Sequence, residues 1–526
     1  MPVSSPRLRW GFVALLAAAV AGLVFATQPR PQYEDAAGFT VMGRGLLSGQ
    51  APFSGLFDDK PPGIYLIGAL AWVLDPGDVT VSMQSLSVVA IAAAATACGW
   101  LVSVAGSRFW VGVAAAVVTA AGLSLPALSA GGGLSELFGV AGMAVSVAAV
   151  VGMLAGRKGI GWPIGAGAAL AWAVGSSLLT LGALPALAAL WLTLPIDDTP
   201  APLARSSWTS WSRRRAFDKR LAAAVAGAGV VSLVVWWPVL STGVAAAAAD
   251  AFVRYNGLYR DTGILRPRAW VNGFGLFWPL WLPTLVLFCV PTAGRRLLGL
   301  ALVRSNLARA MALWVFAVLA LLVLGRRFYP HYLLLLVPPL AVLLGMALTT
   351  AVEGLPFWRP RLSSRAVGLG LCLVIGAGLI SESLPAAPTD TQIAANAALA
   401  SYIRANSAAS DTIYVWGFDP ELYLMADRDP SGPYFVVVPL IMPGYDRQAV
   451  ATMLDVWQAH PPRLVVTANS PAADLIRLDP LVVPADLTNR GEPADYPALD
   501  PLRSFIKAHY TLAATLQTGE VWRYAG

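Results

Sequence analysis

The chain has 526 residues, of which 57% are hydrophobic and only 12% charged, against roughly 25% charged content in soluble domains. Apolar runs of membrane-spanning length recur through the first 385 residues, so the composition excludes a soluble enzyme and specifies a polytopic α-helical membrane protein. The formal charge of +7 does not indicate nucleic acid, because half of the 36 Lys and Arg lie in segments that the positive-inside rule assigns to the cytoplasm.

The first apolar run, about 11–27, follows Arg7 and Arg9 and reads as an uncleaved signal anchor. After it comes the polar stretch YEDAAGFTVMGRGLLSGQAPFSGLFDDKPPG (33–63), part of a first external loop spanning 28–79. Residues 62–74 are apolar but too short to cross. They are expected to form a juxtamembrane helix on the external side, with Asp59 as N-cap and prolines in the first turn. Further spans are expected at about 80–104, 109–127, 136–155, 160–175, 178–194, 221–240, 273–291, 310–325, 331–350 and 366–384, with Pro338-Pro339 bending the tenth. That makes about eleven transmembrane helices, with the N-terminus cytoplasmic. The cluster SRRRAFDKR (212–220) is read as a topology determinant. Cys98, Cys289 and Cys372 all lie in apolar runs, which argues against a disulfide framework or a cysteine metal site.

Beyond the transmembrane domain (1–385), residues 386–526 are rich in Asp, Pro and polar residues. A helix over 392–405, strands at 412–418 and 463–469, and a hairpin over 511–525 turning at Thr518-Gly519 predict a small extracytoplasmic α/β domain.

Chemistry concentrates in the first external loop. Glu34 and Asp35 follow the first span directly, where partial desolvation makes a carboxylate a better general base. Lys60 arrives about 25 residues later at the head of the short helix. An acid and a fixed cation suit a hydroxyl nucleophile and a phosphate leaving group. On spacing alone, an exposed loop with solvated charges accounts for the same residues equally well.

The arrangement YEDAAGFTVMGRGLLSGQAPFSGLFDDKPPGIYLIGAL resembles the first external loop of the dolichyl-phosphate-mannose–protein mannosyltransferase and aminoarabinose-transferase superfamily, polytopic glycosyltransferases of the GT-C fold. An acidic residue follows the first span; Gly49-Gln50-Ala51-Pro52-Phe53 matches a G-x-x-P-(Y/F) segment, and Asp58-Asp59-Lys60-Pro61-Pro62 an acidic-Lys-Pro-Pro element. GRRFYPHYLLLLVPPLAVLLG (325–345) and SDTIYVWGFDPELYLMADRDP (410–430) are similar to later family segments, so the resemblance covers most of the chain.

The resemblance implies that Asp35, with Glu34 beside it, is the catalytic acid and that Lys60 lies near the donor phosphate. It also makes Asp59 a candidate substrate contact and Glu136, in GGGLSELFG, a second acid; a helix N-terminal charge explains Glu136 equally well. Arg326 and Arg327 are read as donor-phosphate ligands, with interfacial snorkelling as the alternative. Tyr329, His331, Tyr255 and Arg260 are weaker candidate substrate contacts, and the last two also fit an interfacial belt. One departure is that VGSSLLTLGALPAL (174–187) lacks the lysine many bacterial members carry near the tip of the sixth span.

No GxxxxGK(S/T) loop is present, and GAGAAL (165–170) is a helix-packing pattern. This suits a lipid-linked donor. The expected partners are a polyprenyl-phosphate-linked sugar, a lipid, glycan or protein acceptor, and the membrane itself, with no nucleic acid. No cofactor is expected to be required; the family has metal-dependent and metal-independent branches, so a divalent metal stays open. The expected activity is an inverting glycosyl transfer with an Asp general base at the extracytoplasmic face of the inner (plasma) membrane. The alternative is a transporter or flippase of lipid-linked sugar intermediates. Such a protein would place charges at mid-membrane and show repeated halves, whereas here the charges gather at the external mouth and no repeat is evident.

Overall fold

A computed structural model describes residues 6–27, 34–194, 211–258, 275, 281, 302–325, 329–354, 390–468, 497–517 and 519–526. The chain divides into two compact units. The first contains residues 1–28, 84–236 and 266–386; the second contains 29–83, 237–265 and 387–526.

Among the described residues, six helices are long and apolar enough to cross a membrane: Pro6–Ala26, Val79–Val104, Ser135–Leu154, Lys219–Thr242, Asn306–Gly325 and Pro330–Thr349. The expected spans at 109–127, 160–175 and 178–194 correspond to shorter apolar segments, Phe109–Leu123, Gly161–Ser176 and Leu178–Leu192. The expected spans at 273–291 and 366–384 lie outside the described residues, apart from positions 275 and 281.

In the first unit the helices are α1 (Pro6–Ala26), α4 (Val79–Val104, most of it), α5 (Phe109–Leu123), α6 (Ser135–Leu154), α7 (Gly161–Ser176), α8 (Leu184–Leu192), α9 (Trp211–Thr242, most of it), α10 (Leu302–Gly325) and α11 (Val337–Gly354). Small residues let their backbones approach, since lipid supplies little hydrophobic drive between helices. A Cβ at Gly142 would stand 2.8 Å from the Ala169 carbonyl oxygen, and the Ser146 hydroxyl donates to the Ala166 carbonyl at 2.8 Å, so α6 and α7 pack closely. Pro338 and Pro339 fall in the first turn of α11, where a missing N–H costs nothing, and the bend expected there is a 3₁₀ segment, Pro330–Leu336, passing into α11.

The second unit is built on α2 (Glu34–Leu47), α3 (Gly63–Leu74) and the C-terminal residues. The polar stretch thus contains a helix of 14 residues. Residues 36–43 of α2 are all buried, and Asp35 stands in its first turn, where an acid complements the helix dipole. The helix ends in a Schellman arrangement: Gly49 N–H donates to the Leu46 carbonyl at 3.1 Å, Gln50 N–H to the Gly45 carbonyl at 2.8 Å, and Gly49 takes φ of 80°.

The N-cap of α3 corrects the sequence expectation. Pro62, not Asp59, occupies it, with no side-chain cap. An Asp59 cap would need the N–H groups two and three residues on, and both positions are prolines, so there is nothing for the carboxylate to accept. The helix begins after the prolines.

Among the described residues of the C-terminal region, five strands form a mixed sheet in the order β2-β1-β3-β5-β4. The strands are β1 (Thr412–Trp416), β2 (Asp429–Pro430), β3 (Leu464–Ala468), β4 (Tyr510–Leu516) and β5 (Gly519–Tyr524). β1 pairs in parallel with β2 and β3, while β5 runs antiparallel to β3 and β4. Ile413 to Trp416 and Leu464 to Val466 are buried at every position, the continuous apolar pattern of strands covered on both faces. Helices α12 (Asp390–Ala405), α13 (Glu421–Ala426), α14 (Asp446–Ala459) and α15 (Asp500–His509) accompany the sheet.

Helix α2 is tied to this region. Arg44 bridges Asp427 and Asp429 at 2.9 Å each and covers the Trp72 ring at 5.2 Å. Its own partner is α3, and their crossing is backbone to backbone. A Cβ at Gly43 would fall on the Gly68–Ala69 peptide, and one at Gly68 on the Phe39 carbonyl. Trp72 Nε1 donates to the Thr40 carbonyl at 3.0 Å beside the crossing. We predict that Gly43→Ala and Gly68→Ala each destabilise the protein by about 1–3 kcal/mol through overpacking. The control Gly22→Ala, on α1 where a Cβ meets nothing within 4 Å, should be neutral or slightly stabilising. Unfolding in detergent distinguishes them.

Candidate functional site

The loop between α2 and α3 carries the charged residues singled out in the sequence. Its backbone is tightly turned. Phe53 takes a left-handed φ of 68°, its N–H donates to the Leu56 carbonyl at 2.7 Å, and its ring packs 6.0 Å from Tyr65 and 5.3 Å from Phe252. From there the chain runs through Phe57 to Asp58, Asp59 and Lys60, and each of these last three is half-buried.

Tyr65 holds the end of this run. Its hydroxyl donates to the Lys60 carbonyl at 2.7 Å and accepts the Lys60 N–H at 3.2 Å, so one buried side chain in the first turn of α3 fixes the lysine's backbone at both ends. Asn256 donates to the Asp59 carbonyl at 3.3 Å. The Asp58 carboxylate accepts the Asp59 N–H at 2.6 Å.

Electrostatically, Asp58 is the centre. It lies within reach of Asp59, Lys60 and Asp35. The structure therefore brings Asp35, half-buried in the first turn of α2, into the neighbourhood of Asp58–Asp59–Lys60. Burial pushes the Asp58 carboxyl from its usual 3.8 up to about 8, the Asp59 and Asp35 carboxylates add to the rise, and Lys60 and the Asp59 N–H oppose it. Near neutral pH this shift favours the protonated form of Asp58.

Two features of this site go beyond the sequence expectations. In sequence Asp58 is one residue of the acidic-Lys-Pro-Pro element, although two adjacent aspartates in a partly desolvated loop are a signal that one will keep its proton. Tyr65 in sequence is one more residue of an apolar helix. Its place five residues after Lys60, just beyond a double proline, is what puts its hydroxyl back on the lysine.

The remaining candidates are distributed as follows. Glu34 opens α2. Tyr255 is buried, with its ring 5.0 Å from Phe57 and 5.1 Å from Tyr445, in a packed aromatic cluster and not on an open surface. Arg260, Arg326 and Arg327 lie outside the described residues. Glu136, Tyr329 and His331 belong to the first unit. Glu136 is 1% exposed in the first turn of α6, and accepts hydrogen bonds from Ser135 Oγ at 3.0 Å and Ser177 Oγ at 3.3 Å. Ser177 lies in the stretch that lacks a lysine. The turn before α6 is shaped by Ala130, Gly131, Gly132 and Gly133, all with left-handed φ, and Gly133 N–H donates to Ser87 Oγ at 2.8 Å. Tyr329 and His331 stack at 5.6 Å, and the 330–336 segment packs against residues 126–129 and α6. Among the described residues no group of three or more His, Cys, Asp or Glu is placed to hold a metal ion.

The raised Asp58 carboxyl sets a sign for stability against pH. Below about 4 both folded and unfolded chains hold the proton. Between about 4 and about 8 the unfolded chain loses it while the folded one keeps it, so this group costs stability increasingly up to about pH 8. We predict that Asp58→Asn unfolds at a higher temperature than the parent at alkaline pH and that the gap closes toward pH 4, in a thermal unfolding series.

No protein-family model matches the sequence, and no curated protein sequence matches it. Solved structures do match along nearly the whole chain. ArnT from Cupriavidus metallidurans bound to undecaprenyl phosphate superposes with a TM-score of 0.57 at 14% identity, covering 97% of each chain. The oligosaccharyltransferase of Archaeoglobus fulgidus tethered with an acceptor peptide superposes at 0.55 and 13% identity, covering 97% of this chain and 74% of that one. The arabinofuranosyltransferase AftD from mycobacteria gives 0.50 at 15% identity, covering 98% and 40%. At such identities the likeness shows the fold alone: this chain shares its fold with ArnT, with the archaeal oligosaccharyltransferase and with AftD.

Proposed function

We propose that the protein is an integral-membrane glycosyltransferase that moves a sugar from a polyprenyl-phosphate donor to an acceptor hydroxyl at the extracytoplasmic face. The observation that carries this reading is the gathering of Asp35 with Asp58, Asp59 and Lys60 on one folded unit of a GT-C chain. Support for a lipid-linked donor comes from the architecture shared with ArnT, which has been solved with undecaprenyl phosphate. The distribution of Lys and Arg supports the face.

In the proposed reaction Asp35, with Glu34 beside it, accepts the proton of the acceptor hydroxyl as its oxygen attacks the anomeric carbon. A new glycosidic C–O bond forms, the bond from the anomeric carbon to the phosphate oxygen breaks in line with it, and polyprenyl phosphate leaves with inversion. Lys60 stabilises the charge that develops on the departing phosphate, and its pinned backbone is suited to this because a preorganised cation needs no reorganisation during the step. With Asp58 neutral, the lysine faces fewer competing carboxylates. The family resemblance supports Arg326 and Arg327 as candidate donor-phosphate ligands, and Glu136, Asp59, Tyr329 and His331 as candidate sugar or acceptor contacts.

Turnover of a radiolabelled polyprenyl-phosphate-sugar panel in proteoliposomes tests this. Asp35→Asn should lower kcat about 10²-fold or more, as loss of a general base does. Lys60→Ala should weaken transfer chiefly through the donor. Full activity in both variants would contradict the assignment, and movement of intact lipid-linked sugar across the bilayer without transfer would favour the transporter.

A further inference from the structure

Residues 57–60 are held by parts of the chain about 200 and about 375 residues away in sequence, all within the second unit. Phe57 N–H donates to the Pro433 carbonyl at 2.8 Å. The Phe57 ring is 3% exposed and lies 5.0 Å from Tyr255, 5.2 Å from Tyr434 and 5.6 Å from Tyr445. One residue pair further on, Asn256 donates to the Asp59 carbonyl at 3.3 Å while also bonding the Ala251 carbonyl at 3.2 Å.

The pieces of this clasp are themselves joined. Residues 250–255 form a π-helical turn, an uncommon element that spreads its side chains more widely than an α-helical turn. Asp250 accepts a hydrogen bond from the Tyr445 hydroxyl at 2.8 Å, and Arg254 lies over the Tyr445 ring at 5.3 Å. Arg254 also donates to Gln448 Oε1 at 2.6 Å and to the Gly444 carbonyl at 3.3 Å. Burial pushes the Tyr445 hydroxyl well above its ordinary range, so it remains a donor to Asp250.

We propose that Phe57 and Asn256 are positioning residues for Lys60, and that through them the 250–258 turn and the 433–445 segment set where the lysine presents its ammonium. The proposal rests on the transferase reading for its consequence but not for its geometry. Phe57 anchors the run on one side, Tyr65 on the other, and Asn256 fixes the peptide between. Misplacing a group by about 1 Å costs up to about 10²-fold in an oriented site, so three anchors on four residues have a purpose beyond folding the loop. It also gives the C-terminal region a part in the site: it supplies the seat in which the residue before the acidic pair is lodged.

The test uses the full-length protein in detergent or proteoliposomes, with Asn256→Ala and Phe57→Leu. The first readout is amine labelling of Lys60 by a lysine-reactive reagent, read by mass spectrometry, with the exposed Lys158 and Lys507 as internal controls. The second is the Michaelis constant for the donor set against that for the acceptor. The expected result is a Lys60 labelling rate changed by about threefold or more with the control lysines unchanged, and a donor KM raised about tenfold with the acceptor KM unmoved. A residue that only supported the fold would lower the active fraction and leave both KM values and the labelling pattern alone. Lys60 labelling identical to the parent in Asn256→Ala overturns the proposal, even if Phe57→Leu fails to fold. Should the unmodified protein transfer no sugar at all, the transferase reading falls, and the labelling arm still decides the clasp.

Discussion

The crossing of α2 on α3 at Gly43 and Gly68 governs the rest of the second unit. Because a Cβ at either position would strike the facing backbone, the two helices approach to a distance that only paired glycines allow. That contact settles the geometry of everything between them. Residues 48–62 must close a short gap, which they do with a Schellman turn at Gly49, a left-handed Phe53 and a double proline. Asp35 at the start of one helix and Lys60 just before the other then share one neighbourhood. The same crossing presents Arg44 to Asp427 and Asp429, linking the helix pair to the C-terminal region.

What the crossing assembles is an unbalanced set of charges. Asp58 stands within electrostatic reach of two further carboxyl groups, Asp59 and Asp35, and of the Lys60 ammonium, and burial makes its own ionisation costly. The strain is relieved by a proton kept on Asp58. In the first unit Glu136 is a buried carboxyl that accepts hydrogen bonds from two serine hydroxyls at the head of a helix.

Much of this was legible from residue types, and the failures have physical causes. Apolar run length located the described helices of the first unit, since a bilayer-length hydrophobic run has few other uses. The runs at 412–418 and 463–469 became β1 and β3 because uninterrupted β-branched and aromatic residues fit a sheet covered on both faces. Helix α2 was hidden inside a stretch read as polar loop, because its helical character comes from being buried on all sides in the middle, not from an amphipathic stripe. The Asp59 cap failed for a reason visible in the sequence itself, the two prolines that follow. Tyr255 shows the reverse limit. A tyrosine near arginines reads as an interfacial or sugar-contacting residue, and only the fold reveals that it is buried against Phe57 and Tyr445.

In the proposed reaction Lys60, its backbone held by Tyr65 and the preceding peptide by Asn256, meets the donor phosphate with Asp35 opposite the acceptor hydroxyl. A cryo-electron-microscopy structure of the protein with undecaprenyl phosphate tests this. The expected result is phosphate density within hydrogen-bonding distance of the Lys60 ammonium, with the Asp35 carboxylate facing the same space. Phosphate bound elsewhere, with Lys60 engaged only by its own carboxylates, would contradict it.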